Sequence, residues 1–542
     1  MPENPITTHL SYSVRSWFFV GLLLSLTLIL GACGAASEST PPPTANESLV
    51  FAGDFGSLRT LDPAAAYELD SYLILGNIYE TLVSYDPNSL ELTGVLAKSW
   101  TIEEQGETWV ITFTLDEQAT FASGNPVTAD DVLFSWRRAI EHNQQPAFLF
   151  TEIAQLDPQQ LRAIDPQTVE VTLPATSNPH VFLSILSFSA AAILDRQEIA
   201  AHAPASDDPT WFNQHSAGSG PYRLERWQQD EHLVLVANAA YWQEPPAIKQ
   251  VILRDIADHT DLPTLVASGE ADIVQDLTTT QAASLADHPD VQIVPADTLD
   301  LVYIGMNITR ALPLAHPDVR EAIRYAINYD DLQTLLGNNA TIVQEIIPDG
   351  IPGHTGQTPF QHDPERAGEL LARSGVEPGT ELELLIPTGV APGGVDWRTL
   401  AAKIQSDLER VGLHLTVKPS DRLLDTYRAR KHEMAMTLWV PDFPDPDANV
   451  TPFADAAAHS LAWRNHWDAP DIAALVREAA TTQNGATRTR LYRTIIERVQ
   501  HEGPYVVLYQ PSRLFGVHRS VTGFRYVPAD TPMVSLNRLE KK

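Results

Sequence analysis

The chain carries a single cysteine, Cys33, in 542 residues, so no intrachain disulfide can staple the fold and stability must rest on a buried core. Basic residues are also scarce: 36 Lys and Arg stand against 69 Asp and Glu, a formal net charge of −33. A surface of that sign excludes non-specific binding to nucleic acid, which needs a basic face. No Gly-Lys dipeptide occurs, hence no Walker-type phosphate loop, and neither a His-Glu-x-x-His zinc helix nor a Gly-x-Ser-x-Gly nucleophile elbow appears. The histidines are scattered, and His432 beside Glu433 reads as a solvated polar pair at the start of a strand rather than half a metal site. These absences argue against an enzyme and suggest no cofactor. With 44% apolar residues the chain is globular, and its length leaves room for two or three lobes.

What is present begins at the N-terminus. Arg15, an apolar stretch from Trp17 to Leu30, then Leu30-Gly31-Ala32-Cys33 and a Pro-rich polar run form the layout of a signal peptide over residues 1–32. Fourteen helical residues span about 21 Å, short of the roughly 30 Å hydrocarbon layer. Counting on through Ala36 nearly reaches it, so an uncleaved anchor stays open as the alternative. Leu30-Gly31-Ala32-Cys33 resembles the lipobox of bacterial lipoproteins, with Gly31 where that motif more often has Ala or Ser. The resemblance implies diacylation of Cys33, enough buried chain for stable anchoring, with residues 33–47 as a flexible tether.

Past the tether helix and strand signals alternate, as in an α/β fold. Thr128-Ala129-Asp130-Asp131 resembles a capping box opening a helix, and Pro317 sits at a helix N1 position before Val319, Ala322, Ile323, Ala326 and Ile327. Asp363-Pro364-Glu365 reads as the start of a helix that ends at Gly375, and the Leu400–Val411 stripe closes at Gly412 before alternating "LHLTV". Trp136, Trp227 and Trp242 are read as core anchors.

The segment Trp439 to Asp447, "WVPDFPDPD", sets three acids among three prolines. Asp442, Asp445 and Asp447 suit two roles, turn residues that cap backbone or carboxylates facing a ligand; the prolines break the spacing of an EF-hand calcium loop.

Blocks such as "LDPAAAYELDSYLILGNIYETLVSYD" (61–86), "GSGPYRLERW" (218–227), "LVASGEADI" (265–273), "PDVREAIRYAIN" (317–328), "WVPDFPDPD" and "GPYVVLYQP" (503–511) share their order and spacing with one family. Read together they resemble the family-5 extracellular solute-binding proteins, peptide and oligopeptide receptors of ABC importers. The resemblance implies an α/β, two-lobed fold of the type II periplasmic-binding-protein class with an extra subdomain on the first lobe. Lobe I would take 48–299 and 511–542, with the subdomain at about 78–205, and lobe II 300–510; "LVYIGMNI" and "YVVLYQP" look like the crossing strands.

The same resemblance implies that Asp442, three residues after Trp439, holds a ligand ammonium. The main chain of Leu438 and Val440 would pair with a peptide, as would Tyr67, Glu68 and Leu69 on the first lobe. Arg428, Arg430 and Lys431 are candidates for the ligand carboxylate, and Trp463 and Trp467 for side-chain pockets. Implied partners are a peptide and a membrane permease, with the receptor an exported, lipid-anchored monomer. Relatives of this fold also take oligosaccharides, opines or nickel complexes. A ligand sensor and a tethered extracellular hydrolase are the remaining alternatives.

Overall fold

The computed structural model describes residues 44–86, 91–202, 210–483, 485–528 and 533–542. The signal segment, Cys33 and most of the tether lie outside these residues. Among the described residues no helix is long and apolar enough to cross a membrane.

One strand organises the molecule. Tyr505–His518, fourteen residues and almost wholly buried, belongs to two halves of a twelve-stranded sheet. Its first part, Tyr505 to Tyr509, pairs antiparallel with Leu301–Met306, which in turn pairs with Met434–Trp439. That half continues through Thr380–Ile386 to Leu413–Pro419 at the edge. From Ser512 onward the long strand pairs with Val291–Asp297 and Ile273–Val274, and that half runs on through Ser48–Gly53, Gln250–Asp255, His232–Ala237 and Tyr222–Gln228.

The chain therefore passes between the halves twice, at Thr298–Asp300 and at Gln510–Pro511. The passages are tied together: the Thr298 hydroxyl donates to the Pro511 carbonyl at 2.8 Å, and the Gln510 amide donates to the Thr298 carbonyl at 2.6 Å. The expected crossing at "LVYIGMNI" moves upstream, because Leu301–Met306 is paired along its whole length inside the second half.

The helices follow the capping signals. Ala129–His142 opens where the Thr128 N–H donates to the Asp131 carboxylate at 2.9 Å, and it buries Val132, Trp136 and Ala139. Trp136 packs edge-on against Phe113 and Phe182 above a separate four-stranded antiparallel sheet, Ala97–Gln105, Thr108–Leu115, Thr168–Pro174 and Leu161–Asp165. Pro364–Ser374 starts where Asp363 accepts from the Arg366 N–H and stops at Gly375, whose φ of 73° a Cβ would disfavour. Helices Pro317–Ala326 and Trp397–Arg410 bury the faces that their spacing marks and cover the second half of the sheet.

Candidate functional site

The loop after strand Met434–Trp439 brings its acids to different fates. Asp445 accepts two bonds from Arg488 at 2.6 and 2.7 Å, a bidentate ion pair, and also caps the N–H of Asp447 at 2.9 Å. Asp447 opens helix Asp447–Ala454 and accepts from the Thr451 hydroxyl at 2.7 Å; burial and the neighbouring Asp445 charge push its carboxyl up to about 6. Both are structural, one as a turn cap reinforced by a cation and one at a helix start.

Asp442 differs. Its carboxylate accepts from the Tyr67 hydroxyl, a residue 375 positions earlier in the other half of the molecule. No cation lies within ion-pair distance of it among the described residues, and burial pushes its carboxyl up to about 6 against the opposing pull of that hydrogen bond. Tyr67 is held edge-on by Phe148 and Phe188, with ring centroids 6.1 and 6.2 Å away. Its chain segment is pinned upstream by Asp62, whose carboxylate receives both guanidinium nitrogens of buried Arg138 at 2.7 and 2.6 Å.

Strand Met434–Trp439 has one fully used edge. Every residue from Met434 to Trp439 has a partner in Leu301–Met306, but on the other edge Thr380–Ile386 reaches only Met434 and Ala435. From Met436 to Trp439 that second edge has no strand beside it among the described residues. Leu438 thus stands at a sheet edge open to strand addition, with Val440 just beyond the strand's last residue. Trp439 packs edge-on against Phe453, a core contact, and its indole N–H is buried without a partner.

On the facing side only part of the expected segment suits pairing. Glu68 is extended, with φ −90° and ψ 146°, but Leu69 already opens helix Leu69–Ile78, so its carbonyl is not that of a strand. Leu69 keeps only its N–H as a free helix-start donor. The three residues are therefore not one extended pairing segment.

Of the other candidates, Arg428 lies near enough for its charge to act on the Tyr67 hydroxyl. Arg430 lies over the Trp463 ring at 4.4 Å and bonds the His466 imidazole, while Lys431 and Arg428 are exposed. Trp467 is buried against Tyr505 in the core. His432 is fully buried rather than solvated: its ring bonds the Asn465 amide at 3.0 Å, and burial lowers its pKa to about 4. Of the tryptophans, Trp136 is core, and Trp242 donates its indole N–H to Glu80 at 2.8 Å. Among the described residues no three His, Cys, Asp or Glu side chains converge as a metal site.

Between the halves lie two cavities that sequence reasoning missed. A small one, about 40 Å³, is lined by Val440, Asp442, Phe188 and Asp300. A larger one, about 380 Å³, is lined by Leu438, Asp70, Asp276, Asp300 and Arg513. Asp300 borders both. No local pattern marks these residues, because Asp70, Asp276, Asp300 and Arg513 come from four separate stretches of chain.

The chain and its fold are similar to those of known proteins. Residues 91–460 match the family described as Bacterial extracellular solute-binding proteins, family 5 Middle. The chain is 28% identical over 525 residues to the probable D,D-dipeptide-binding periplasmic protein DdpA of Escherichia coli, covering 95% of this chain and 98% of that one. It is 27% identical to di/tripeptide-binding protein 2 of Pseudomonas aeruginosa, covering 94% and 97%. Among solved structures, DppA of Helicobacter pylori in complex with the peptide STSA superposes with a TM-score of 0.76 at 24% identity over 91% of this chain and 98% of that one. A Pseudoalteromonas dipeptide-binding protein in complex with Met-Leu gives 0.77 at 23% identity over 91% and 100%. The fold is thus the two-lobed type II arrangement of periplasmic binding proteins, and the chain belongs to the family-5 bacterial extracellular solute-binding proteins.

Proposed function

We propose that the protein is an extracytoplasmic receptor that captures a peptide between its lobes and delivers it to an ABC permease, with no covalent chemistry of its own. The observation that carries this reading is Asp442, a desolvated carboxylate without a protein cation, set where the lobes meet and beside the open edge of strand Met434–Trp439. A peptide supplies both complements: an α-ammonium for the carboxylate and a backbone for the edge. A hydrogen bond to a charged group is worth about 1.5–3 kcal/mol net, which is one to two decades of affinity. Pro441 and Pro444 stiffen the loop and lower the ordering cost of binding.

The names of the relatives, a dipeptide receptor and a di- and tripeptide receptor, support the ligand class. On this reading lobe I comprises 48–299 and 511–542 with a subdomain at about 78–205, and lobe II comprises 300–510. Leu438 and Val440 pair with the peptide, Trp439 supports them from the core, and Tyr67, the Glu68 backbone and the Leu69 N–H meet it from the other side. Cys33 carries the lipid that keeps a monomeric receptor on the outer face of the membrane. Mass spectrometry of small molecules released by denaturing the protein produced from Gly34 onward tests the ligand class. Peptides of a narrow length range are expected; a sugar, an opine or a metal complex would overturn the peptide reading and leave the fold intact.

A further inference from the structure

The larger cavity has an unbalanced charge. Asp54, Asp70, Asp276 and Asp300 line it against one guanidinium, Arg513, whose hydrogen bonds of 2.8 and 2.6 Å go to Asp276 while its charge also acts on Asp70 and Asp300. The one histidine on its wall, His259, faces Asp54 at 3.8 Å. Asp300 is 8% exposed and has no ion-pair partner among the described residues. The Thr298 hydroxyl accepts from the Asp300 N–H at 3.2 Å and donates to the Pro511 carbonyl, so among the described residues only its proximity and the Arg513 charge offset the burial of the Asp300 carboxylate. Burial pushes that carboxyl up to about 7 and the Asp70 carboxyl up to about 6.

A buried carboxylate without an ion pair of its own carries a desolvation penalty that a further cation or a proton relieves. Among the described residues the acids do not converge as a metal site, and an organic cation on a flexible stem fits the cavity. The cavity, about 380 Å³, opens beside Leu438, while Asp442 lies four residues along the same stretch. Four residues span at most about 13 Å at the roughly 3.3 Å rise of extended chain, so a peptide anchored by its ammonium at Asp442 brings side chains that follow its first residue beside Leu438.

We propose that this cavity is a subsite for a cationic side chain of the bound ligand, a lysine, an arginine or another amine-bearing residue, held by Asp300 with Asp70 as its second acid. The proposal rests on the reading of the protein as a peptide receptor and adds a substrate class to it: peptides with a positive charge at position two or three. Arg513 stays with Asp276 and fixes that wall of the subsite.

Calorimetric titration with Ala-Lys-Ala, Ala-Ala-Lys and their norleucine counterparts tests this, because norleucine keeps the apolar stem and removes the charge. Native protein is expected to prefer the lysine peptide at least tenfold at one of the two positions, and Asp300→Asn to reduce that preference below threefold. The readout is the ratio of two affinities on one protein, so partial loss of folded material does not alter it. Asp70→Asn is expected to reduce the ratio by a smaller factor and serves where Asp300→Asn does not fold. Equal affinity for lysine and norleucine at both positions overturns the cationic subsite while the peptide reading stands. A preference that survives both substitutions also overturns it. Failure to bind any of the four peptides, with other ligand classes bound instead, overturns the peptide reading and the subsite together.

Discussion

The two ends of Val440–Asp447 have similar composition and opposite employment. At the far end Asp445 is neutralised by Arg488 and Asp447 starts a helix, so the charges are consumed by the fold. At the near end Asp442 has no ion-pair partner among the described residues and meets the Tyr67 hydroxyl from the other lobe. Partners, rather than residue type, divide a loop into scaffold and site: an acid whose charge the protein leaves unanswered is one that a ligand can answer.

The comparison breaks most visibly at the scaffold end. Arg488→Met leaves Asp445 buried without its cation, and removing one partner of a buried pair costs about 3–5 kcal/mol. Scanning calorimetry should show a fall of several degrees in the melting temperature of the ligand-free protein; an unchanged melt would mean that this end is not structural.

Asp442→Asn acts on binding instead. A free-amine peptide with apolar side chains should lose at least tenfold in affinity, with its advantage over the N-acetylated form abolished; equal losses for both would sink the ammonium role. The pH dependence sharpens the same point. The ionised carboxylate binds the ammonium, and its pKa in the free protein is raised to about 6, so affinity is flat above pH 7 and falls about tenfold per unit well below 6. Titration calorimetry across pH 5–8 checks this, and the slope should be absent in Asp442→Asn.

Tyr67→Phe gives the smallest change. The hydroxyl favours the ionised Asp442, so its loss should move the acid midpoint of binding upward, with affinity at pH 8 altered by about two- to fivefold, the size of one hydrogen bond. An unmoved midpoint would place the hydroxyl elsewhere in the working protein.

Legibility in the sequence followed the range of the interaction that decides each feature. The helices at Ala129, Pro317 and Pro364 were readable because caps and apolar stripes act over three or four residues. The distinction between Asp442 and Asp445 was not, since their deciding partners lie 375 and 43 residues away. His432 was misjudged for the same reason, its burial depending on Asn465 and Tyr427. Leu69 shows a different limit: a family's pairing segment transfers as a position, but the local chain has turned that position into the start of a helix.

The long strand Tyr505–His518 also sets the order in which the molecule can be made. Ser48–Gly53 has its partners far downstream, at Gln250–Asp255 and Ile273–Val274, and Ile273–Val274 and Leu301–Met306 in turn await this late segment. The Lys541 ammonium then closes onto Asp272 at 2.8 Å. Neither lobe can complete its sheet until the ribosome has released nearly the last residue, and contacts of such sequence separation form slowly. Completion of the two sheet halves is therefore a single late event shared by both, rather than one event for each.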